Sequence, residues 1–170
     1  MQPGSNLLWW VIPGVLAGMP MPYIHLERRL NYGGQLAAYD DELPQLYAAG
    51  IRAVVSLLNL LTDKSVYESA GFAFLCLPVA DGGAPTIEQV REFTSFVDGH
   101  RAIGNPVAVH CEAGLGRTGT MIAGYLISTG ERPESAIAHV RAVESKAIET
   151  WTQIRFLQQL AQPPQQSDSH

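Results

Sequence analysis

Residues 107–120 read VAVHCEAGLGRTGT. The stretch joins three pieces of different character. "PVAVH", 106–110, reads as a strand. "TGTMIAGYLIST", 118–129, reads as an apolar helix. Between them lies a turn containing Gly114 and Gly116, with Cys111 at its entrance and Arg117 six positions later. A strand running through a glycine turn into a helix is the unit from which parallel α/β sheets are built. In such sheets the ligand site lies at the carboxyl ends of the strands, where Cys111 stands.

Glycines at 114 and 116 let successive backbone N–H groups point inward and form an anion nest. The helix behind adds its N-terminal partial charge at the same point. A phosphate fits there, and so does a thiolate. Arg117 closes the ring, since a planar guanidinium grips two oxygens at once, more tightly as charge develops on them. Glu112, Ala113, Gly114, Leu115, Gly116 and Arg117 are therefore the expected phosphate loop. Thr118 is placed to donate its hydroxyl to the sulfur. His110 is expected to orient backbone and loop by hydrogen bonds rather than to take a proton. The alternative for Cys111 is a small buried core residue; the arginine, threonine and glycines around it argue for chemistry.

Phosphoryl transfer to sulfur also needs a proton for the departing alcohol or phenol. Asp81 in "VADGG" follows another apolar run and is flanked by glycines that leave its loop mobile. Asp40, Asp41, Asp63 and Asp98 read as helix-terminal or surface acids.

The rest of the chain repeats the strand–helix alternation. "LLWWVI" and "VLAG" read as two short strands about Pro13-Gly14. "DDELPQLYAAG", 40–50, reads as a short helix with acids in its first turn. Strands are expected at 51–58 and 72–79. A weak helix is expected at 62–70, and others at 86–103, 133–144 and 149–161, with Thr86 opening the third of the chain's helices. The fold class is thus α/β, a single domain over 1–162 with a central, mostly parallel twisted sheet and helices on both faces. The polar, Pro-rich tail 163–170 is expected to be disordered.

Composition limits the functions open to such a domain. The 170 residues carry a formal net charge of −5, against the basic surfaces that favour nucleic acid or anionic membranes. The two cysteines, Cys76 and Cys111, cannot form a secreted disulfide framework. Neither lies in a CxxC pair and no Cys/His cluster has zinc spacing, so neither metal nor cofactor is expected. "LLWWVIPGVLAGMPM" lacks a basic region before it and is broken by Pro13-Gly14, which argues against a signal peptide or membrane span. A cytoplasmic monomer is the expectation, with a phosphorylated protein or small phosphate ester as partner.

The stretch His110–Gly119 matches HCxxGxxR[ST]G and resembles the signature of the cysteine-dependent protein tyrosine phosphatase superfamily. "WVIPGVLAG", "GIRAVVSL" and "AIETWTQ" extend the resemblance to the small atypical dual-specificity phosphatases and their prokaryotic relatives, over roughly residues 7–160. The resemblance implies a protein tyrosine phosphatase-like fold and a two-step hydrolysis. Cys111 attacks phosphorus, Asp81, where the dual-specificity branch carries its acid, protonates the leaving group, and water releases phosphate from phosphocysteine. It further implies Gln153 as a residue positioning that water, and Cys76 as a redox partner of Cys111 of the kind some relatives use. The chain departs from the family in lacking the aromatic recognition loop of tyrosine-specific members and in a longer 20–41 segment. Tyr23, Arg28, Arg29, Asn31 and Tyr32 in that segment are the expected specificity residues. Phosphotyrosine in proteins, with phosphoserine and phosphothreonine beside it, is the expected substrate. An inositol phosphate, phosphoinositide or RNA 5′-phosphate is the alternative, ranked lower because "EAGLG" carries no extra basic residue. A phosphopeptide-binding module without turnover ranks lower still, since Cys111, Arg117 and Asp81 are all present.

Overall fold

The computed structural model describes residues 7–22, 37–59 and 63–160. Its strands are β1 (Trp9–Ile12), β2 (Leu16–Met19), β3 (Ala53–Ser56), β4 (Ala73–Cys76) and β5 (Val107–His110). They form one sheet in the order β1-β2-β5-β3-β4. The β2–β5, β5–β3 and β3–β4 pairs are parallel, and only β1 runs antiparallel to its neighbour β2. The Pro13-Gly14 turn explains that exception, because Gly14 takes the positive φ of 73° that lets the chain reverse directly. Every residue of β2, β3 and β5 is buried. Successive side chains of a strand point to opposite faces, so helices cover the sheet on both sides.

The helices are α1 (Ala37–Ala48), α2 (Asp63–Ser69), α3 (Ile87–Ala102), α4 (Gly116–Ser128), α5 (Pro133–Val143) and α6 (Trp151–Leu160). Central among them is α4, which is buried from Gly116 to Ile127 and packs on β2 and β5 and against α3, α5 and α6. Its composition accounts for this, being apolar or small on every side beyond Arg117. Two helices start earlier than the sequence suggests. Ala37 and Ala38, strong helix formers, carry α1 three residues ahead of Asp40. The phosphate-loop helix begins at Gly116 rather than Thr118. Among the described residues no helix is long and apolar enough to cross a membrane.

Two features of the sheet prepare the site. β5 lies between β2 and β3, so the turn after His110 opens between two parallel neighbours. Beyond the formal strand ends the ladder continues: Leu57 N–H donates to the His110 carbonyl (2.9 Å), Leu77 N–H to Ser56 (2.9 Å) and Val79 N–H to Leu57 (3.0 Å). The chain leaving edge strand β4 is thereby led along β3 toward the turn that follows β5.

Candidate active site

Cys111 follows β5 directly and is only 3% exposed. The turn after it packs on the end of β2, where Met21 N–H donates to the Glu112 carbonyl at 3.0 Å. Gly114 has φ +73°, and a Cβ there would overlap the Met19 carbonyl, so no side chain fits. Leu115 offers no side-chain oxygen to cap α4, whose first turn carries no acid. That helix end therefore presents N–H groups and positive potential to whatever occupies the turn. Thr118 Oγ1 donates to Cys111 Sγ at 3.1 Å inside a fully buried setting. Glu112 and Ala113 are exposed, on the outer side of the turn.

His110 is buried, and burial pushes its pKa down to about 4 while a hydrogen bond to the Cys111 backbone opposes the fall. The imidazole is therefore neutral near pH 7. Nδ1 lies 3.0 Å from the Cys111 carbonyl, which can only accept, so Nδ1 carries the proton. Nε2 then accepts from the Tyr67 hydroxyl, 2.9 Å away. Tyr67 is itself fixed by stacking on Phe74, with centroids 5.2 Å apart. This chain of bonds pins the backbone that bears the thiol. Tyr67 had no signal in the sequence: it sits on the seven-residue α2, and only the fold brings it to His110.

Arg117 is buried and turned toward the loop after β4. Its Nη1 donates to the Val79 carbonyl at 3.1 Å, and its Nη2 lies 3.6 Å from Asp81 Oδ1. Asp81 is 93% exposed. The pair thus joins a buried guanidinium to an exposed carboxyl group on the loop after β4.

Gln153 is buried beside the loop, close to Gly116. Its Oε1 accepts from the backbone N–H groups of Glu149 (2.8 Å) and Thr150 (3.1 Å), and its Nε2 donates to the Gly83 carbonyl (3.1 Å). The amide tied this way joins the start of α6 to the loop of Asp81. Both lone pairs of Oε1 are thereby used, and the second N–H of Nε2 is the group through which a water could be held.

Cys76 is not brought to Cys111. It aligns with Ser56 across β4–β3, and Ser56 aligns with His110 across β3–β5. Two strand spacings put Cys76 about 10 Å from His110, beyond the roughly 7 Å that a disulfide spans between Cα atoms. Both cysteines are free here, and the expected redox pairing would have to reach from β4 past β3 to the residue after β5. Cys76 Sγ instead donates to the Leu58 carbonyl at 3.1 Å. Tyr23, Arg28, Arg29, Asn31 and Tyr32 lie outside the described residues.

A parallel sheet delivering a thiol, an arginine and an acid to one glycine turn is the architecture of the cysteine-dependent phosphatases. The chain belongs to that family: residues 30–131, more than half its length, match the model described as "Polymorphic toxin system, DSP-PTPase phosphatase". It is 30% identical to human protein tyrosine phosphatase type IVA 3 over 144 residues, covering 84% of this chain and 83% of that protein. Human dual specificity protein phosphatase CDC14A is 32% identical over 118 residues, 69% of this chain but only 19% of its own length. Among solved structures, Tk-PTP in the active form superposes with a TM-score of 0.72 at 28% identity, covering 95% of this chain and 98% of that one. PTPMT1 in complex with PI(5)P shares the fold, with a TM-score of 0.71 at 22% identity over 92% of this chain and 95% of that one.

Proposed function

We propose that the chain is a phosphatase that hydrolyses phosphotyrosine in proteins, with phosphoserine and phosphothreonine as slower substrates, through a phosphocysteine intermediate. The observation that carries this reading is the Thr118 hydroxyl donating to the Cys111 sulfur at the uncapped start of α4, with Arg117 and Asp81 paired at the mouth. Cys111 enters as thiolate, favoured by the N–H groups of the turn and the Thr118 hydroxyl. Its lone pair forms the S–P bond while the P–O bond to the leaving group breaks. Asp81 gives that oxygen its proton. Arg117 and the N–H groups of the turn hold the equatorial phosphoryl oxygens as their charge redistributes. In the second step Asp81, now a carboxylate, takes a proton from water. The water oxygen bonds phosphorus, the S–P bond breaks, and the thiolate is regenerated, its charge again met by Thr118. His110, neutral and donating to the Cys111 carbonyl, holds the loop and exchanges no proton.

The same chemistry serves a non-protein phosphate, and the PTPMT1 complex with PI(5)P makes that the reading to test against. The chain works, in this proposal, as a monomer in the cytoplasm, where a reducing environment preserves a catalytic thiol. A panel of phosphotyrosine, phosphoserine and phosphothreonine peptides beside inositol phosphates and phosphoinositides decides between them. The proposal expects the highest kcat/KM on phosphotyrosine peptides and no turnover by Cys111→Ser. A preference for the inositol compounds by tenfold or more, about 1.4 kcal/mol in transition-state binding, would replace it with the second reading.

A further inference from the structure

The loop bearing Asp81 is held on one side by Arg117 and on the other by the segment between α5 and α6, whose contacts play no part in the mechanism above. Gly83 N–H donates to the Ala80 carbonyl at 2.9 Å and closes a tight turn around Asp81, with Gly82 at φ +73°. The carbonyls of Gly82 and Gly83 in that turn are both claimed from the start of α6 and the residue before it. Thr150 Oγ1 donates to Gly82 at 2.8 Å, and Gln153 Nε2 donates to Gly83. The Asp81 side chain is almost fully exposed, so its direction is set by the backbone of its turn and by Arg117 rather than by packing.

The donor segment is itself braced. Ile148 has φ +63°, a left-handed conformation unusual for a β-branched residue. Arg141 donates to both carbonyls flanking this position, through Nε to Ala147 (3.0 Å) and through Nη2 to Ile148 (2.6 Å). Ile148 N–H in turn donates to the Leu115 carbonyl of the phosphate loop at 3.3 Å. One strained turn thus touches the loop that holds the nucleophile and, two residues on, the loop that holds the acid.

We propose that Thr150, on a turn braced by Arg141, is a positioning residue that latches the Gly82 carbonyl and so aims Asp81 at the leaving group. The inference rests on Asp81 being the general acid. Thr150 is only partly buried, so water can replace its hydroxyl at the Gly82 carbonyl. The same oxygen caps α6 by accepting from Gln153 N–H at 3.2 Å, so its loss costs the stability of one helix cap, leaves the fold in place and releases the acid from its reactive orientation. In the first step, which kcat/KM reports, the effect falls on esters whose leaving group needs a proton and spares those whose leaving group does not.

The test compares phenyl phosphate, a poor leaving group, with p-nitrophenyl phosphate, a good one, in wild type and in Asp81→Asn. Thr150→Val is expected to lower kcat/KM, which reports formation of the phosphocysteine and not its hydrolysis, about tenfold on phenyl phosphate and less than about twofold on p-nitrophenyl phosphate. Thr150→Ser, which keeps the hydroxyl, should restore the wild-type ratio. In the Asp81→Asn background Thr150→Val should cause no further loss on phenyl phosphate, because there is no acid left to aim. Equal loss on both esters, or a full additional loss in Asp81→Asn, overturns the latch alone. Equal loss on both esters in Asp81→Asn itself overturns the assignment of the acid, and the latch with it. Should Thr150→Val fail to fold, Thr150→Ala removes the same donor without the bulk and is read identically.

Discussion

At the scale of single residues the site divides into groups that chain proximity brings together and groups that only folding does. Cys111, Arg117 and Thr118 fall within one turn and the start of one helix, so their mutual geometry is nearly dictated locally. That is why the sulfur-to-hydroxyl bond is legible from spacing alone. Tyr67 and Thr150 meet their partners His110 and Gly82 across 43 and 68 positions, and no local pattern announces such a contact. His110 illustrates a consequence that neither neighbour reveals. Its folded pKa of about 4 lies below the usual 6.5, so the native state resists a proton that the unfolded chain accepts. Above pH 6.5 both states are neutral and the residue contributes no pH dependence. Between 6.5 and about 4 the unfolded state binds more protons, and stability falls with falling pH by up to roughly 1.4 kcal/mol per unit. Urea unfolding at pH 7, 6 and 5 should reveal this loss in wild type. His110→Asn, whose amide still donates to the Cys111 carbonyl but does not titrate, should lack that part of it. An identical pH slope in the variant would contradict the account of a buried, neutral imidazole.

At the scale of elements, the capping of α3 shows how a local signal acquires a longer reach. Thr86 accepts from Gln89 N–H at 3.1 Å, and Gln89 Oε1 accepts from Thr86 N–H at 3.0 Å, a reciprocal capping box. The Thr86 start was legible, being a threonine ahead of a helical stripe. What spacing could not show is that Gln89 Nε2 also donates to the Pro78 carbonyl at 2.7 Å. One side chain thereby ties together both ends of the stretch that carries Asp81. Gln89→Ala should lower stability by about 1–2 kcal/mol, measured by chemical denaturation, since it removes half the box and the Pro78 bond together. A loss below about 0.3 kcal/mol would show that solvent replaces these exposed bonds at no cost. The strands were legible for a simpler reason: "IRAVVSLL" and "PVAVH" are β-branched and nearly continuous in apolarity, as a sheet covered on both faces requires. The start of α4 was misplaced by two residues because glycine reads as turn, while here Gly116 forms the helix's first residue under the packing of Glu149 and Gln153.

At the scale of the whole molecule, the order β1-β2-β5-β3-β4 does two things that no single element could. It places the carboxyl end of β5 between two parallel strands, and it continues the β3–β4 ladder far enough for Val79 to reach Arg117. Asp81 and Arg117, 36 positions apart in the chain, meet for that reason. Strand–helix alternation implied a mostly parallel sheet, but strand order lies in long-range pairing and is invisible to periodicity. The same order separates Cys76 from Cys111 by an intervening strand, which sequence distance could not reveal. The central claim is that Cys111 carries the phosphoryl group during turnover. Rapid acid quench of the enzyme during hydrolysis of a phosphotyrosine peptide, followed by mass spectrometry of its fragments, tests this most directly. The account predicts one added phosphoryl group on the fragment containing Cys111, absent from Cys111→Ser. A wild-type enzyme that turns over with no covalent phosphate at Cys111, or with the phosphate on another residue, would contradict it.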